Sequence, residues 1–261
     1  MKFEVFHFED SKYGKLHPTE DAYAYDSDRF CVADGITRDP LKHPDFTGHP
    51  FEELLKDYPN PSLAKAAADM CVDEFVKSAS LASCNHRIAE LNEGKEIDYL
   101  INDFAACVAA GGQLSGHKLS WSSIGDCFVA VFDRSGQKKF ASPDGVVAWT
   151  NSDDSKHGDW NKPEQRKLVR SHYRNNPDEP ASYGALTGEK AAEEFIKSGT
   201  VDLAPGDVVF CYSDGFAKLV DHPEFLAKVM GNKSKFEDWD HQLAKQDYAK
   251  FGHERTLLVR K

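Results

Sequence analysis

Residues Val208–Gly215, with the sequence VVFCYSDG, join an apolar run suited to a buried strand to a carboxylate and a glycine. The segment Phe30–Gly35 (FCVADG) repeats this design, and Ile124-Gly125-Asp126 is a weaker copy. Hard divalent cations bind clusters of carboxylate and carbonyl oxygens, and strand ends hold such groups rigidly. The pattern therefore predicts strand ends that share one cation site.

A further acidic pair, Glu20-Asp21, stands just ahead of the first strand of this kind. Asp-Gly is a common turn dipeptide, so a single copy would indicate no more than a turn. The recurrence of the design, together with this acidic pair, is what favours a metal centre.

Length and composition allow one large domain or two, and the lack of a linker or internal repeat predicts one domain over residues 1–261. The hydrophobic share of 40% is sufficient for a core. The net charge of −11 comes from 43 acidic and 32 basic residues that are spread along the chain. Nucleic acid polymers and anionic membranes require a basic face, so neither is an expected partner.

The six cysteines contain no Cys-x-x-Cys pair, and several fall inside apolar strand patterns. This usage predicts free thiols in a reducing, cytoplasmic compartment and disfavours a zinc site. Residues 1–10 do not resemble a secretory signal, and the longest uncharged stretch, Phe104–Gly116, is too short to cross a bilayer.

Apolar periodicity predicts the secondary-structure elements. Strands are expected over residues 2–8, 21–26, 29–34, 118–133 (two strands), 138–141, 208–212 and from Thr256 onward. Helices are expected from Pro61, over 96–110, over 164–173, from Thr187, over 223–231 and over 235–250, with one helical turn at 51–56. Residues 143–184 are expected to form an irregular, flap-like excursion above the site.

The order of the acidic motifs resembles that of the metal-dependent protein phosphatases of type 2C. The matching segments are Glu20-Asp21-Ala22, Val32–Gly35, Ile124–Cys127, Tyr212–Phe216 and His253–Leu257. The most specific segment, Leu203–Gly215, is similar to bacterial members. The resemblance implies an α/β (α+β) fold, a four-layer α-β-β-α sandwich of two antiparallel sheets flanked by helix pairs.

The resemblance also implies two divalent cations, Mn²⁺ or Mg²⁺, and a bridging water that attacks a phosphomonoester. Asp34 and Asp214 would be the catalytic ligands, with Asp34 bridging both cations. The carbonyl of Gly35 would bind one cation, and Glu20 and Asp21 would act mainly through metal-bound waters. In this family pattern Asp126 would orient ligands from a supporting position.

The sequence departs from the family pattern near the substrate. Leu16 stands where many members have a phosphate-binding arginine, and Lys15, His17 and Arg174 are the candidates to replace it. Ile36 replaces a histidine that serves as a candidate general acid in members from higher organisms, which would favour good leaving groups.

Two further departures concern residues 105–107 and the last metal ligand of the family pattern. Ala105-Ala106-Cys107 replaces a Gly-Ser/Thr-Thr stretch, and His253 replaces the late aspartate, with Glu254 beside it. Position favours His253 as the ligand, whereas charge and hardness favour Glu254.

The leading hypothesis is a metal-dependent phosphomonoester hydrolase, and more specifically a protein serine/threonine phosphatase. Its substrate would be a phosphorylated protein or a small phosphomonoester. The alternatives are a pseudophosphatase that acts as a binding or regulatory module and a small-nucleotide phosphohydrolase. Because Glu20, Asp21, Asp34 and Asp214 are all present, the sequence favours an active enzyme.

Overall fold

The computed structural model describes residues 3–8, 18–39, 58–159 and 162–261, with only the backbone described at 248 and 249. The predicted helical turn at 51–56 lies outside these residues, as do Lys15, Leu16 and His17.

Within the described ranges, ten strands form two five-stranded antiparallel sheets. The strands are β1 (Phe3–Phe8), β2 (Ala22–Tyr25), β3 (Arg29–Gly35), β4 (Cys107–Ser115), β5 (Lys118–Ile124), β6 (Phe128–Phe132), β7 (Lys138–Ala141), β8 (Lys197–Asp202), β9 (Val208–Tyr212) and β10 (Arg255–Arg260). The first sheet has the order β1-β10-β9-β6-β7, and the second has the order β2-β3-β4-β5-β8. The predicted strands are confirmed, apart from small shifts at their ends.

The helices in chain order are α1 (Leu63–Ser78), α2 (Leu81–Leu91), α3 (Val147–Thr150), α4 (Asp153–His157), α5 (Pro163–Tyr173), α6 (Ala217–Val220), α7 (Phe225–Val229), α8 (Lys233–Gln246) and α9 (Tyr248–Phe251). Two 3₁₀ segments, Lys190–Phe195 and Asp214–Phe216, are also present. Ser62 begins α1 by accepting a hydrogen bond from Lys65 N, which confirms the predicted helix start.

Three hydrophobic cores separate four layers. The alternation of strand side chains sends Cys31 and Ala33 of β3 toward α1 and α2, while Phe30 and Val32 pack between the two sheets. On the far side, Phe225 and Phe236 from the C-terminal helices cover the first sheet. The predicted α-β-β-α sandwich of two antiparallel sheets is therefore confirmed.

The predicted helix over 96–110 is wrong. Residues 107–115 instead form β4, a strand between β3 and β5. Cβ atoms at Gly111 and Gly112 would come within 2.6 Å of the rings of Phe75 and Phe30. The apolar residues that suggested a helix recur every three or four positions, whereas Gly111 and Gly112 allow close packing on both faces of this strand.

Two other helix predictions need correction. The segment after Thr187 is a 3₁₀ turn whose N-cap is Glu189, and the Thr187 hydroxyl donates to the Glu189 carboxylate at 2.7 Å. The helix expected over 235–250 ends at Gln246, and α9 follows separately. Helix α2 and strand β8 were not predicted.

In the part of the chain that the structure describes, no helix is both long and apolar enough to cross a bilayer.

Candidate metal centre

Strand pairing brings the acidic motifs together within each of the two sheets. Ala22 of β2 lies opposite Ala33 of β3, so Asp21, just before β2, is beside Asp34 near the end of β3. In the other sheet, Tyr212 of β9 lies opposite Leu257 of β10. The residues after β9 and those before β10 therefore lie next to each other.

Asp21, Asp34 and Glu254 form the closest carboxylate group. One ligand atom from each lies within 4.8 Å of the other two, which is a spacing that a single cation can span. The first two residues belong to one sheet and the third to the other. The group thus closes one end of the sandwich.

Asp21 gives the clearest sign that this group fits a cation. The residue is only 1% exposed, and its Oδ2 accepts a hydrogen bond from Ser213 Oγ at 2.7 Å. Its Oδ1 has no hydrogen-bond partner among the described residues, although it is buried. A buried carboxylate oxygen without a partner is costly, and a divalent cation would satisfy it.

The clustered carboxyl groups of this site have too little positive charge nearby to balance them when they are ionised. Burial raises the pKa of Asp21 to about 6 and the pKa of Glu254 to about 9, and neighbouring carboxylates add to both shifts. Burial, followed by the charges of Asp21 and Asp214, raises the pKa of Asp34 well above its ordinary value. A divalent cation would reverse these shifts because it favours the ionised carboxylates.

Asp214 and Asp126 also lie near Asp34, because their charges contribute to its raised pKa. The pKa of Asp126 is raised to about 7 by burial and by the charge of Asp214. Desolvation by the surrounding protein, followed by the charge of Asp21, raises the pKa of Asp214 to about 6. Part of the residue remains exposed to solvent. The structure therefore brings Asp126 next to the predicted ligands, as a supporting role requires.

Glu20 occupies a different setting from its neighbour Asp21. Its carboxylate accepts hydrogen bonds from the hydroxyls of Thr37 (2.8 Å), Tyr58 (2.6 Å) and Ser62. Its backbone N–H donates to both carboxylate oxygens of Glu254, at 3.1 and 3.2 Å. Glu20 thus holds Glu254 in place. Its predicted role through metal-bound waters stays a prediction.

The structure separates the two candidates for the last ligand. Glu254 points into the carboxylate group, whereas His253 is exposed and lines an adjoining cavity near Asp214. Arg255 fixes this segment, because its guanidinium forms a buried ion pair with Asp240. Sequence reasoning missed that anchor, since an isolated arginine and aspartate give no local signal.

The glycines after Asp34 and Asp214 each allow another segment of the chain to pack closely against the backbone. A Cβ at Gly35 would lie 2.8 Å from the backbone of Ala64 in α1. A Cβ at Gly215 would lie 2.2 Å from the carbonyl oxygen of Glu254. Such distances exclude any larger side chain without movement, so each glycine lets a second element pack beside a site carboxylate.

Arg174, a predicted phosphate ligand, is only 7% exposed. It donates to Asn102 Oδ1 at 2.8 Å and packs against the rings of Phe104 and Tyr183. This enclosure leaves little of its guanidinium for a substrate, and the assignment stays a prediction.

The fold and the acidic strand ends define the class of protein that this chain resembles: the PPM-type serine/threonine phosphatases. No protein-family model and no curated protein sequence matches the chain. The crystal structure of the Mycobacterium tuberculosis serine/threonine phosphatase PstP/Ppp is similar at a TM-score of 0.53 and 17% identity. That alignment covers 99% of this chain and 96% of the other.

Two other solved structures bear on the metal centre. The catalytic domain of PstP with two manganese ions has a TM-score of 0.54, 17% identity, and coverage of 99% of this chain and 96% of that chain. RsbX with magnesium has a TM-score of 0.51, 13% identity, and coverage of 98% and 92%. At these identities the similarity establishes the fold.

Proposed function

We propose that this protein is a metal-dependent phosphoric monoester hydrolase that acts on phosphoserine or phosphothreonine in proteins. One observation carries the proposal: Asp21, Asp34 and Glu254 converge within 4.8 Å, and a buried oxygen of Asp21 lacks a partner. Solved structures of the same fold contain manganese or magnesium. This supports Mn²⁺ or Mg²⁺ as the cofactors, two per chain.

The residues present would divide the work as follows. Asp34 and Asp214 would hold the cations with Asp21 and Glu254, and the Gly35 carbonyl would contribute a further ligand. Bound divalent cations supply Lewis acidity, which lowers the pKa of water and offsets charge on phosphoryl oxygens.

Two neighbouring groups would keep these ligands in place. Ser213 donates to Asp21, and the Glu20 N–H donates to Glu254, so both carboxylates are fixed before substrate arrives. Such outer hydrogen bonds orient ligands and preserve their ionised form.

The leaving group would receive little help from the protein. Ile36, half-buried against the core between the sheets, occupies the position of the family's candidate general acid. Without a proton donor there, the rate should depend strongly on the leaving group's own stability. Activated aryl phosphates are therefore the best first substrates.

A non-catalytic role is not favoured. A decayed site would be expected to lose carboxylates or to pair them with cationic side chains, whereas here several carboxyl groups stay clustered with raised pKa values. We further propose a cytoplasmic location and a signalling role. Six free, buried cysteines are consistent with a reducing compartment.

The test is hydrolysis of an aryl phosphate with added manganese and, separately, with a chelator. We expect turnover only with the metal, and Asp214→Asn should lower kcat/KM by roughly two orders of magnitude or more. Asp28→Asn is the matched control, because Asp28 is exposed in the turn at the far end of β3. Full turnover in chelator would overturn the proposal.

A further inference from the structure

A cavity of about 400 Å³ adjoins the metal centre. Its lining residues are Asp214, Gly215, Lys218, Asp247, Lys250 and His253. We call it the lysine cavity. It shares Asp214 with the proposed catalytic ligands, so a molecule bound in it would lie next to the reacting group.

The sheet pairing explains why two lysines reach this cavity. Helix α6 follows the 3₁₀ turn that begins at Asp214, and it carries Lys218 one turn further along. Helix α9 carries Lys250 and ends just before β10. Because β9 and β10 are hydrogen-bonded neighbours, the element after one strand and the element before the other lie on the same side.

Within the described part of the chain, the ammonium groups of these two lysines form no ion pair. Neither Lys218 nor Lys250 has a carboxylate within ion-pair distance there, whereas Lys139 pairs with Asp207 at 2.5 Å. Asp247 lines the same cavity, but its Oδ1 accepts the backbone N–H of Lys250 at 3.2 Å. The Lys250 ammonium lies 5.0 Å from the ring centre of Phe251.

We propose that the lysine cavity binds an acidic side chain that flanks the phosphorylated residue of a peptide substrate. This inference rests on the proposed function and deepens it. The cavity has a volume typical of ligand pockets, so it can accept a flanking residue rather than a phosphoryl group alone. In a chain of net charge −11, two cations at this position are needed to attract an acidic peptide.

The test compares phosphoserine peptides that differ only in flanking residues, either glutamate or alanine. The wild-type protein with manganese should prefer the glutamate peptide by about five-fold in kcat/KM, as expected for solvent-accessible charge pairs. The double variant Lys218→Ala/Lys250→Ala should bring the ratio close to one. Raising the salt concentration should also reduce the wild-type preference.

Lys118→Ala is the control for the loss of a positive charge outside the cavity. Lys118 is exposed at the start of β5, and the Gly125-Asp126 turn follows the other end of that strand, so its removal changes net charge without touching the cavity. We expect this variant to retain the wild-type ratio. A loss of preference in Lys118→Ala equal to that in the double variant would reduce the effect to overall charge and overturn the inference.

A binding measurement separates this inference from the proposed function. Fluorescence anisotropy with labelled peptides, in which a non-hydrolysable phosphonate replaces the phosphate, reports affinity without turnover. Tighter binding of the glutamate peptide, lost in the double variant, supports the lysine cavity even if aryl phosphate is not hydrolysed. Equal affinity for both peptides in the wild-type protein would contradict the inference, even if hydrolysis is efficient.

Discussion

The backbone N–H of Glu20 donates to both carboxylate oxygens of Glu254, at 3.1 and 3.2 Å, across 234 positions of sequence. This contact links the segment before β2 to the segment before β10, and it directs Glu254 toward Asp21 and Asp34. The Glu20 side chain is fixed in turn by three hydroxyls. The first acidic motif therefore helps to position the last one.

This geometry predicts that Glu254, rather than His253, binds the metal. Glu254→Gln should weaken Mn²⁺ affinity by about ten-fold or more, since a charged ligand is lost from the cluster. His253→Ala should change Mn²⁺ affinity much less, because the imidazole is exposed beside the lysine cavity. Calorimetric titration of both variants checks this, and a larger effect from His253→Ala would reverse the assignment.

The crowded carboxyl groups predict an unusual dependence of stability on pH. Their folded-state pKa values are raised above the ordinary 3.8 and 4.5, to about 6 for Asp21 and about 9 for Glu254. The stability of the metal-free fold should therefore fall progressively as pH rises from about 4, where these groups ionise in the unfolded chain, toward about 9, where Glu254 ionises in the folded state. The free energy of unfolding should fall by on the order of 2 kcal/mol between pH 5 and pH 8.

Urea denaturation in chelator at these two pH values measures this loss of stability. Added Mn²⁺ should remove most of it, since the cation stabilises the ionised carboxylates. Glu254→Gln should reduce the pH dependence, because one titrating group is removed. Metal-free protein that is equally stable at both pH values would show that the carboxyl groups do not repel one another in this way.

Gly215→Ala should disturb the metal centre by a steric route. The new Cβ would lie 2.2 Å from the Glu254 carbonyl and 2.7 Å from Arg255 Cβ, so the segment before β10 must move. We expect a stability loss of about 1–3 kcal/mol together with weaker Mn²⁺ binding. Gly231→Ala is the control, because its nearest contacts are 3.3 Å. Equal Mn²⁺ affinities in the two variants would contradict the steric argument.

Helix α5 of the 143–184 excursion should contribute to stability. Arg166 and Arg170 both pair with Asp39 at 2.8 Å, and Asp39 is only 6% exposed. Asp39→Ala removes the carboxylate that the two guanidinium groups share, so we expect a loss of about 3 kcal/mol. The exposed pair Lys190–Glu193 provides the control, and Lys190→Ala should cost less than about 1 kcal/mol. Similar losses in both variants, by urea denaturation, would contradict this.

The sequence predicts those parts of the site in which an apolar strand pattern runs directly into a carboxylate. Apolar runs ending in Asp-Gly indicated β3 and β9, and their carboxylates indicated a shared cation site. Strand pairing within each sheet, together with the packing of the two sheets on each other, explains why residues as distant as Asp21 and Glu254 meet. Register and loop geometry, which decide between His253 and Glu254, depend on contacts that the sequence does not display.

The errors have a common physical cause, which is that tertiary contacts override local propensity. The apolar residues of 96–110 recur at helical spacing, but residues 107–110 belong to β4, in which Gly111 packs under Phe75 and Gly112 beside Phe30. Strand β8 is polar and lies at the edge of its sheet, where β5 is its one partner among the described strands. The hydroxyls around Glu20 belong to Thr37, Tyr58 and Ser62, which all lie between β3 and α1 at spacings that form no recognisable sequence motif.

The most direct test measures Mn²⁺ occupancy and aryl phosphate hydrolysis in the same samples, for the wild-type protein and Asp34→Asn. Hydrolysis should rise in parallel with bound Mn²⁺ in the wild-type protein. Asp34→Asn should lose both, while Asp28→Asn should retain both. Wild-type affinity for Mn²⁺ in Asp34→Asn, or hydrolysis that does not depend on bound metal, would contradict a metal centre built on Asp34.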